Sequence, residues 1–173
     1  MTATGGRDAD RTTALIRHLT ARGLTVAVAE SLTGGLLVAE LIRPAGASAV
    51  VRGGVVAYAT AVKNSVLGVD ADLLADEGAV HPRVAEQMAA GVRRVLSVDG
   101  READIGISTT GVAGPDPQDG RQPGTVYLGL SQAAGTRSIG LTLSGDRDEI
   151  RRETVRAAID YLVGITGAGT AGA

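Results

Sequence analysis

The chain has 173 residues, with 17 Lys+Arg against 19 Asp+Glu and a formal net charge of −2. That length can bury a core without help from disulfides or metal, and the near-neutral balance argues against a nucleic-acid partner, which calls for a basic face. Cysteine is absent, which excludes disulfides, thiolate metal sites and cysteine nucleophiles. The 2 histidines, His18 and His81, are too few and too far apart for a metal cluster. No apolar run reaches the ~18 residues of a membrane span, and the opening MTATGGRDADR lacks the apolar stretch of a signal peptide. A cytoplasmic protein with no membrane partner is the expectation.

The elements follow in chain order from periodicity and punctuation. Leu15, Ile16 and Leu19 lie at helical spacing within 10–22, and Gly23 ends that helix. Residues 1–9 are read as a flexible N-terminus. LTVAVA (24–29) is a buried strand, ESLTGG (30–35) a turn, and LLVAELI (36–42) a helix stopped by Pro44 and Gly46. VVRGGVVAYA (50–59) reads as a strand whose glycines mark a bulge or a close approach. A short helix over 60–68 and a helical turn over 70–77 come next. Pro82 stands at a first helical position, ahead of Val84, Met88, Val92 and Val95 on one helix face. ADIGIST (103–109) is a strand, followed by the Gly- and Pro-rich loop TGVAGPDPQDGRQPG (110–124). TVYLGLSQ (125–132) and TRSIGLTLS (136–144) form a hairpin across Ala133, Ala134 and Gly135. The last helix spans 146–163, with 165–173 a glycine-rich flexible tail. Alternating strands and helices closed by a hairpin predict one domain over 10–164, a three-layer α/β/α sandwich around a mixed sheet of about five strands.

Two compositional biases bear on chemistry. The aromatic residues are Tyr58, Tyr127 and Tyr161 alone, with no Phe or Trp, so the core is built from Ala, Val, Leu and Ile. Every other basic residue is arginine; Lys63 is the sole lysine. Arginine serves for surface charge, but its guanidinium does not give up a proton at working pH, so it cannot replace a lysine that acts as a base.

Ligands of open α/β sheets sit beyond the carboxyl ends of the strands, and three segments are expected to converge there. In ESLTGG, Ser31 and Thr33 are followed by Gly34 and Gly35 at a helix start, where glycine is costly unless the backbone must approach an anion or an oxyanion. In YATAVK, Tyr58 ends a strand and Lys63 follows within two helical turns. A buried lysine beside a serine acts as a general base, with tyrosine as a hydrogen-bonding relay. In TTGVAGP, Thr109, Thr110, Gly111 and Gly114 offer hydroxyls and N–H groups to an oxyanion or phosphate. Arg147 sits at a helix start, unfavourable for a cation unless an anion is near, which makes it a phosphate partner. Arg151, Arg152 and Arg156 read as a solvated face, His81 as a loop residue, and Asp116 with Asp119 as a weak cation signal.

In this order, AESLTGG, GGVVAYATAVK, LGVDADLLADEGAV, TTGVAGPDPQDGRQPGTVY and GDRDEIR resemble the CinA C-terminal domain family over residues 10 to 164. The resemblance implies a nicotinamide-nucleotide amidase, which converts nicotinamide mononucleotide to nicotinate mononucleotide and ammonia in pyridine-nucleotide salvage. It also implies a homo-oligomer, with a dimer favoured, and no metal or organic cofactor. The chain reads as the stand-alone form of a domain that in many members follows a larger one. The family's serine, lysine and tyrosine fall on Ser31, Lys63 and Tyr58. Leu32 stands where Cys is usual, Ala61 where Glu is usual, His81-Pro82 replaces Ser-Glu, and Pro123 ends a shortened loop. Sequence leaves open which turn takes the phosphate and which the oxyanion. A catalytically silent nucleotide-binding module, or a hydrolase of another nucleotide bond, is the alternative.

Overall fold

The computed structural model describes residues 4–168. In chain order the elements are α1 (Thr4–Arg22), β1 (Val26–Glu30), α2 (Leu36–Ile42), β2 (Val51–Val56), α3 (Thr60–Ser65), α4 (Ala71–Glu77), α5 (Pro82–Val95), β3 (Ile105–Gly111), β4 (Thr125–Gln132), β5 (Gly135–Thr142) and α6 (Arg147–Thr166), with a 3-10 turn at Ala47–Ala49. The sheet order is β2-β1-β3-β4-β5. β2, β1 and β3 run parallel; β4 and β5 continue the sheet antiparallel. This is the mixed five-stranded sheet expected from the sequence.

Side-chain alternation along β1 assigns the two outer layers. Val26 and Val28 join Leu15, Leu19, Leu37 and Ile159 in a cluster on the α1/α2/α6 side. Ala27 and Ala29 join Leu67, Met88 and Val92 on the α3/α4/α5 side. Every residue of β1 is buried, as befits a parallel strand covered on both faces.

The second face is lined with small residues because α5 lies almost on the sheet. A Cβ on Gly106 would sit 2.1 Å from the Ala89 carbonyl oxygen, and one on Gly129 2.1 Å from that of Ala85. Ser108 uses the same closeness to donate to the Ala85 carbonyl at 2.6 Å. The glycines at 106 and 129, and the lack of aromatic rings in this layer, follow from that approach. The β2 glycines behave as expected: the register against β1 slips between Val26 and Ala27, and a Cβ on Gly54 would meet Val38 Cβ at 2.9 Å.

Several boundaries differ from the sequence reading. β2 ends at Val56 and not at residue 59, so Tyr58 lies past the strand instead of ending it. α1 already begins at Thr4, so residues 4–9 are helical; residues 1–3 lie outside the described residues. α6 continues to Thr166, capped by left-handed Gly167, and Ala168 is buried, so 165–168 pack onto the fold; 169–173 lie outside the described residues. β3 extends past Thr109 through Gly111, so Thr110 and Gly111 are strand residues paired with Tyr127 and Val126, and not the start of a loop. Cross-strand pairing with β4 overrode the local glycine signal.

The close approach predicts opposite outcomes for one substitution. Gly106→Ala and Gly129→Ala should each destabilise by about 1–3 kcal/mol through overpacking. Gly164→Ala, inside α6 with no atom near the new methyl, should stabilise by up to about 1 kcal/mol. Urea denaturation of the three variants checks the sign and the size.

Candidate active site

The carboxyl ends of the three parallel strands build the site. Ser31 directly follows β1, and its N–H donates to the Thr109 carbonyl on β3 at 2.9 Å. The Ala57 N–H, just past β2, donates to the Glu30 carbonyl at 2.8 Å. Ser31, Thr109 and the Ala57-Tyr58 segment are thereby held side by side, as the sequence predicts.

The turn from Ser31 to Gly35 is clamped from two directions. Glu30 is fully buried, and its carboxylate accepts from Gly35 N (3.0 Å), Leu37 N (3.1 Å) and Val38 N (2.8 Å). The protein's own anion thus occupies the N-terminus of α2, so Gly35 does not offer its N–H to a ligand, and the Gly34 N–H closes on Ser31 O at 3.1 Å. From α6, Arg151 donates through Nε to Leu32 O at 3.0 Å and through Nη2 to Thr33 O at 3.3 Å. Arg151 is therefore not part of a solvated face. Among the described residues, the N–H groups of Leu32 and Thr33 are the two in this turn without a hydrogen bond.

Lys63 is 1% exposed and donates to three oxygens: Ser31 Oγ at 3.0 Å, Ala57 O at 2.8 Å and Tyr58 O at 3.3 Å. Burial lowers its pKa from 10.5 to about 8, partly offset by the carboxylate of Asp119. The geometry suits both protonation states. An ammonium fills three acceptors; a neutral amine keeps two N–H bonds to the carbonyls and turns its lone pair to the Ser31 hydroxyl.

Ser31 and Leu32 form one wall of a pocket of about 140 Å³, and Thr110, Gly111 and Gly114 another. Tyr58 and Arg147 also line it, as do Asp116 and Gln118 from the 112–124 loop. Asp146 caps α6 in a reciprocal pair with Glu149, which fixes Arg147 in the first turn. The Arg147 guanidinium donates to Gly114 O at 2.6 Å and to Tyr58 Oη at 3.1 Å. The cation at this helix start is thus held by two oxygens at the pocket wall.

Of the residues singled out by sequence, Ser31, Tyr58, Thr110, Gly111, Gly114 and Arg147 meet at the pocket, with Lys63 behind Ser31. Others serve the scaffold instead. The Thr33 and Thr109 hydroxyls bond each other at 2.8 Å in the core, while Gly34 (φ +59°) and Gly35 (φ +100°) shape the turn. The Thr110 hydroxyl is spent on the Ala79 carbonyl at 2.7 Å. Tyr58 is 62% exposed; it reaches Lys63 through its carbonyl, and its phenol pairs with Arg147 and not with Ser31 or Lys63. His81 caps α5, accepting from Arg83 N. Sequence reasoning missed Glu30 and Arg151. The i,i+4 spacing of Arg147 and Arg151 is the signal that places both on one face of α6. Asp119 accepts from Ala79 N at 3.0 Å and ties the loop to the α4–α5 junction. Among the described residues, no group of three or more His, Cys, Asp or Glu is placed to hold a metal, and no helix is long and apolar enough to cross a membrane.

Comparison with known proteins agrees with this architecture. The family model described as CinA C-terminal domain matches residues 8–165. A CinA-like protein of Frankia casuarinae is 49% identical over 158 residues, covering 91% of this chain and 35% of its own. A Geobacillus kaustophilus protein described as competence-damage inducible is 46% identical over 160 residues, covering 92% and 37%. The chain spans about a third of the length of these two relatives. Among solved structures, a CinA superfamily protein of Klebsiella pneumoniae superposes with a TM-score of 0.86 at 32% identity, covering 92% of this chain and 98% of that one. A competence/damage inducible protein of Agrobacterium tumefaciens gives 0.85 at 33% identity, covering 95% and 99%. With a family match across nearly all its length and that match shared by fold and sequence, this chain belongs to the CinA C-terminal domain family.

Proposed function

We propose that this protein hydrolyses the carboxamide of nicotinamide mononucleotide, releasing ammonia and nicotinate mononucleotide, through Ser31 and Lys63. The observation that carries the reading is the buried Lys63 amine 3.0 Å from Ser31 Oγ, with its other N–H groups committed to two carbonyls. Neutral Lys63 takes the Ser31 proton as Oγ attacks the carboxamide carbon. The oxygen that becomes negative is received by the unpaired N–H groups of Leu32 and Thr33. The Lys63 ammonium then returns its proton to the departing nitrogen, which leaves as ammonia. Water, deprotonated by Lys63, cleaves the Ser31 ester and restores both groups. Arg147, at the pocket rather than beside Lys63, supplies the cation for the phosphate. In this reading the Ser31 turn takes the oxyanion and Arg147 the phosphate.

Purified wild type should release ammonia from nicotinamide mononucleotide, and Ser31→Ala and Lys63→Arg should each lower kcat by ~10³-fold or more, since neither leaves a working nucleophile and base. Lys63→Arg with unimpaired turnover would refute the base role. Nucleotide binding by the wild type without ammonia release would identify a silent module instead.

The rate should also report the amine. Its neutral form grows as pH rises, so kcat/KM should climb about tenfold per pH unit below a midpoint near 8 and level off above it. Asp119→Asn removes the charge that favours the ammonium and keeps an oxygen for Ala79 N, so the midpoint should move to lower pH.

Folding stability follows the same proton with the opposite partner. Between about 8 and 10.5 the unfolded lysine is protonated and the folded one is not, so raising pH across this window favours the native state. Urea titrations of wild type and Lys63→Met should show wild type gaining roughly 3 kcal/mol relative to the variant from pH 7 to pH 10.5.

A further inference from the structure

Leu32 lines the pocket, yet its side chain is 4% exposed and packed in the core cluster with Leu37 and Ile150. The peptide joining Leu32 to Thr33 contributes one of the two unpaired N–H groups, and its carbonyl has one tether among the described residues, Arg151 Nε at 3.0 Å. The next residue, Gly34, has φ +59°, followed by Gly35 at +100°. Those glycines shape the turn beyond Thr33, while the Leu32–Thr33 peptide itself reorients about Leu32 ψ and Thr33 φ, so a tether on its carbonyl sets its direction. A trans peptide is planar, with C=O and N–H pointing in opposite directions. Holding the Leu32 carbonyl toward α6 consequently fixes the Thr33 N–H away from it.

Arg151 is built for that task. Its second contact, Nη2 to Thr33 O at 3.3 Å, engages the following peptide, and the planar guanidinium couples the two carbonyls rigidly. Asp148 accepts from Nη1 at 3.3 Å and steadies the head group from the same helix. Arg151 does not line the pocket. It acts on the turn from behind.

We propose that Arg151 is a positioning residue that holds the Leu32–Thr33 peptide in the orientation that stabilises the oxyanion at Ser31. The proposal rests on the serine-hydrolase reading given above, but not on the identity of the amide substrate. A serine so placed is open to a fluorophosphonate: Ser31 Oγ bonds to phosphorus, the P–F bond breaks, fluoride leaves, and the serine proton passes to Lys63. The phosphoryl oxygen then occupies the oxyanion position, so labelling reads the N–H groups without the nucleotide.

The experiment compares wild type, Arg151→Ala and Arg151→Lys, with labelling of Ser31 followed by mass spectrometry and ammonia release by steady-state kinetics. Labelling rate and kcat should both fall at least about tenfold in Arg151→Ala, approaching the ~10² of a lost oxyanion donor. Arg151→Lys, which retains one contact, should recover part of the loss. Nucleotide affinity, measured with Ser31→Ala added to each variant, and the pH midpoint should stay unchanged. A labelling rate within about twofold of wild type in Arg151→Ala would overturn the proposal, since a lost oxyanion donor costs far more. So would a parallel loss of nucleotide affinity, the sign of a collapsed pocket. If wild type labels in an Arg151-dependent way but releases no ammonia from nicotinamide mononucleotide, the substrate assignment fails and the role of Arg151 stands.

Discussion

The site depends on one amine kept out of water. A lysine enclosed by protein tends to lose its charge, and Lys63 is drawn down to about 8 by burial while Asp119 pulls the other way. What makes this usable is the acceptor set. Two backbone carbonyls and one hydroxyl satisfy an ammonium fully, and they leave a neutral amine with its lone pair on Ser31. Neither state strands a polar group, so the proton can come and go without reorganising the pocket.

The parallel half of the sheet supplies the registration. Ser31 and Ala57 follow β1 and β2 at the level of Thr109 in β3, and short backbone hydrogen bonds lock them together. The turn carrying Ser31 is then held by two of the protein's own charged side chains. The Glu30 carboxylate takes the N–H groups at the start of α2, and the Arg151 guanidinium takes two carbonyls from the other side. Most of the turn's polar groups are thereby consumed, and what is left is a narrow set of N–H groups near the serine. Preorganisation of this kind costs nothing at the moment of reaction.

The packing behind the site has its own economy of size. α5 lies so near the sheet that Gly106, Gly129 and Ser108 face it directly. The start of the same helix carries Pro82 and the His81 cap, and Ala79 just before it is bonded by both Thr110 and Asp119. The small residues of the sheet thus determine where the far wall of the pocket stands. A larger side chain beneath α5 would move that wall as well as strain the core.

Sequence alone determined the order and type of the elements, because apolar periodicity and Gly/Pro punctuation are local signals. α2 and β4 lie where their patterns place them. It also singled out Lys63 and Ser31, through a composition in which arginine had replaced every lysine that a cation could replace. The tertiary structure alone decided where the polar groups of the turn point. ESLTGG reads as an open anion-binding helix start, but Glu30 folds back to fill it, and no local pattern records a carboxylate turning toward N–H groups five to eight residues ahead. Thr110 and Gly111 read as the start of a loop, but pairing with β4 made them strand and buried Thr110. Arg151 reads as a surface charge, but the docking of α6 set it on two carbonyls more than a hundred residues away. Long-range hydrogen bonds settle after the elements pack, and so they leave no spacing in the chain to be read.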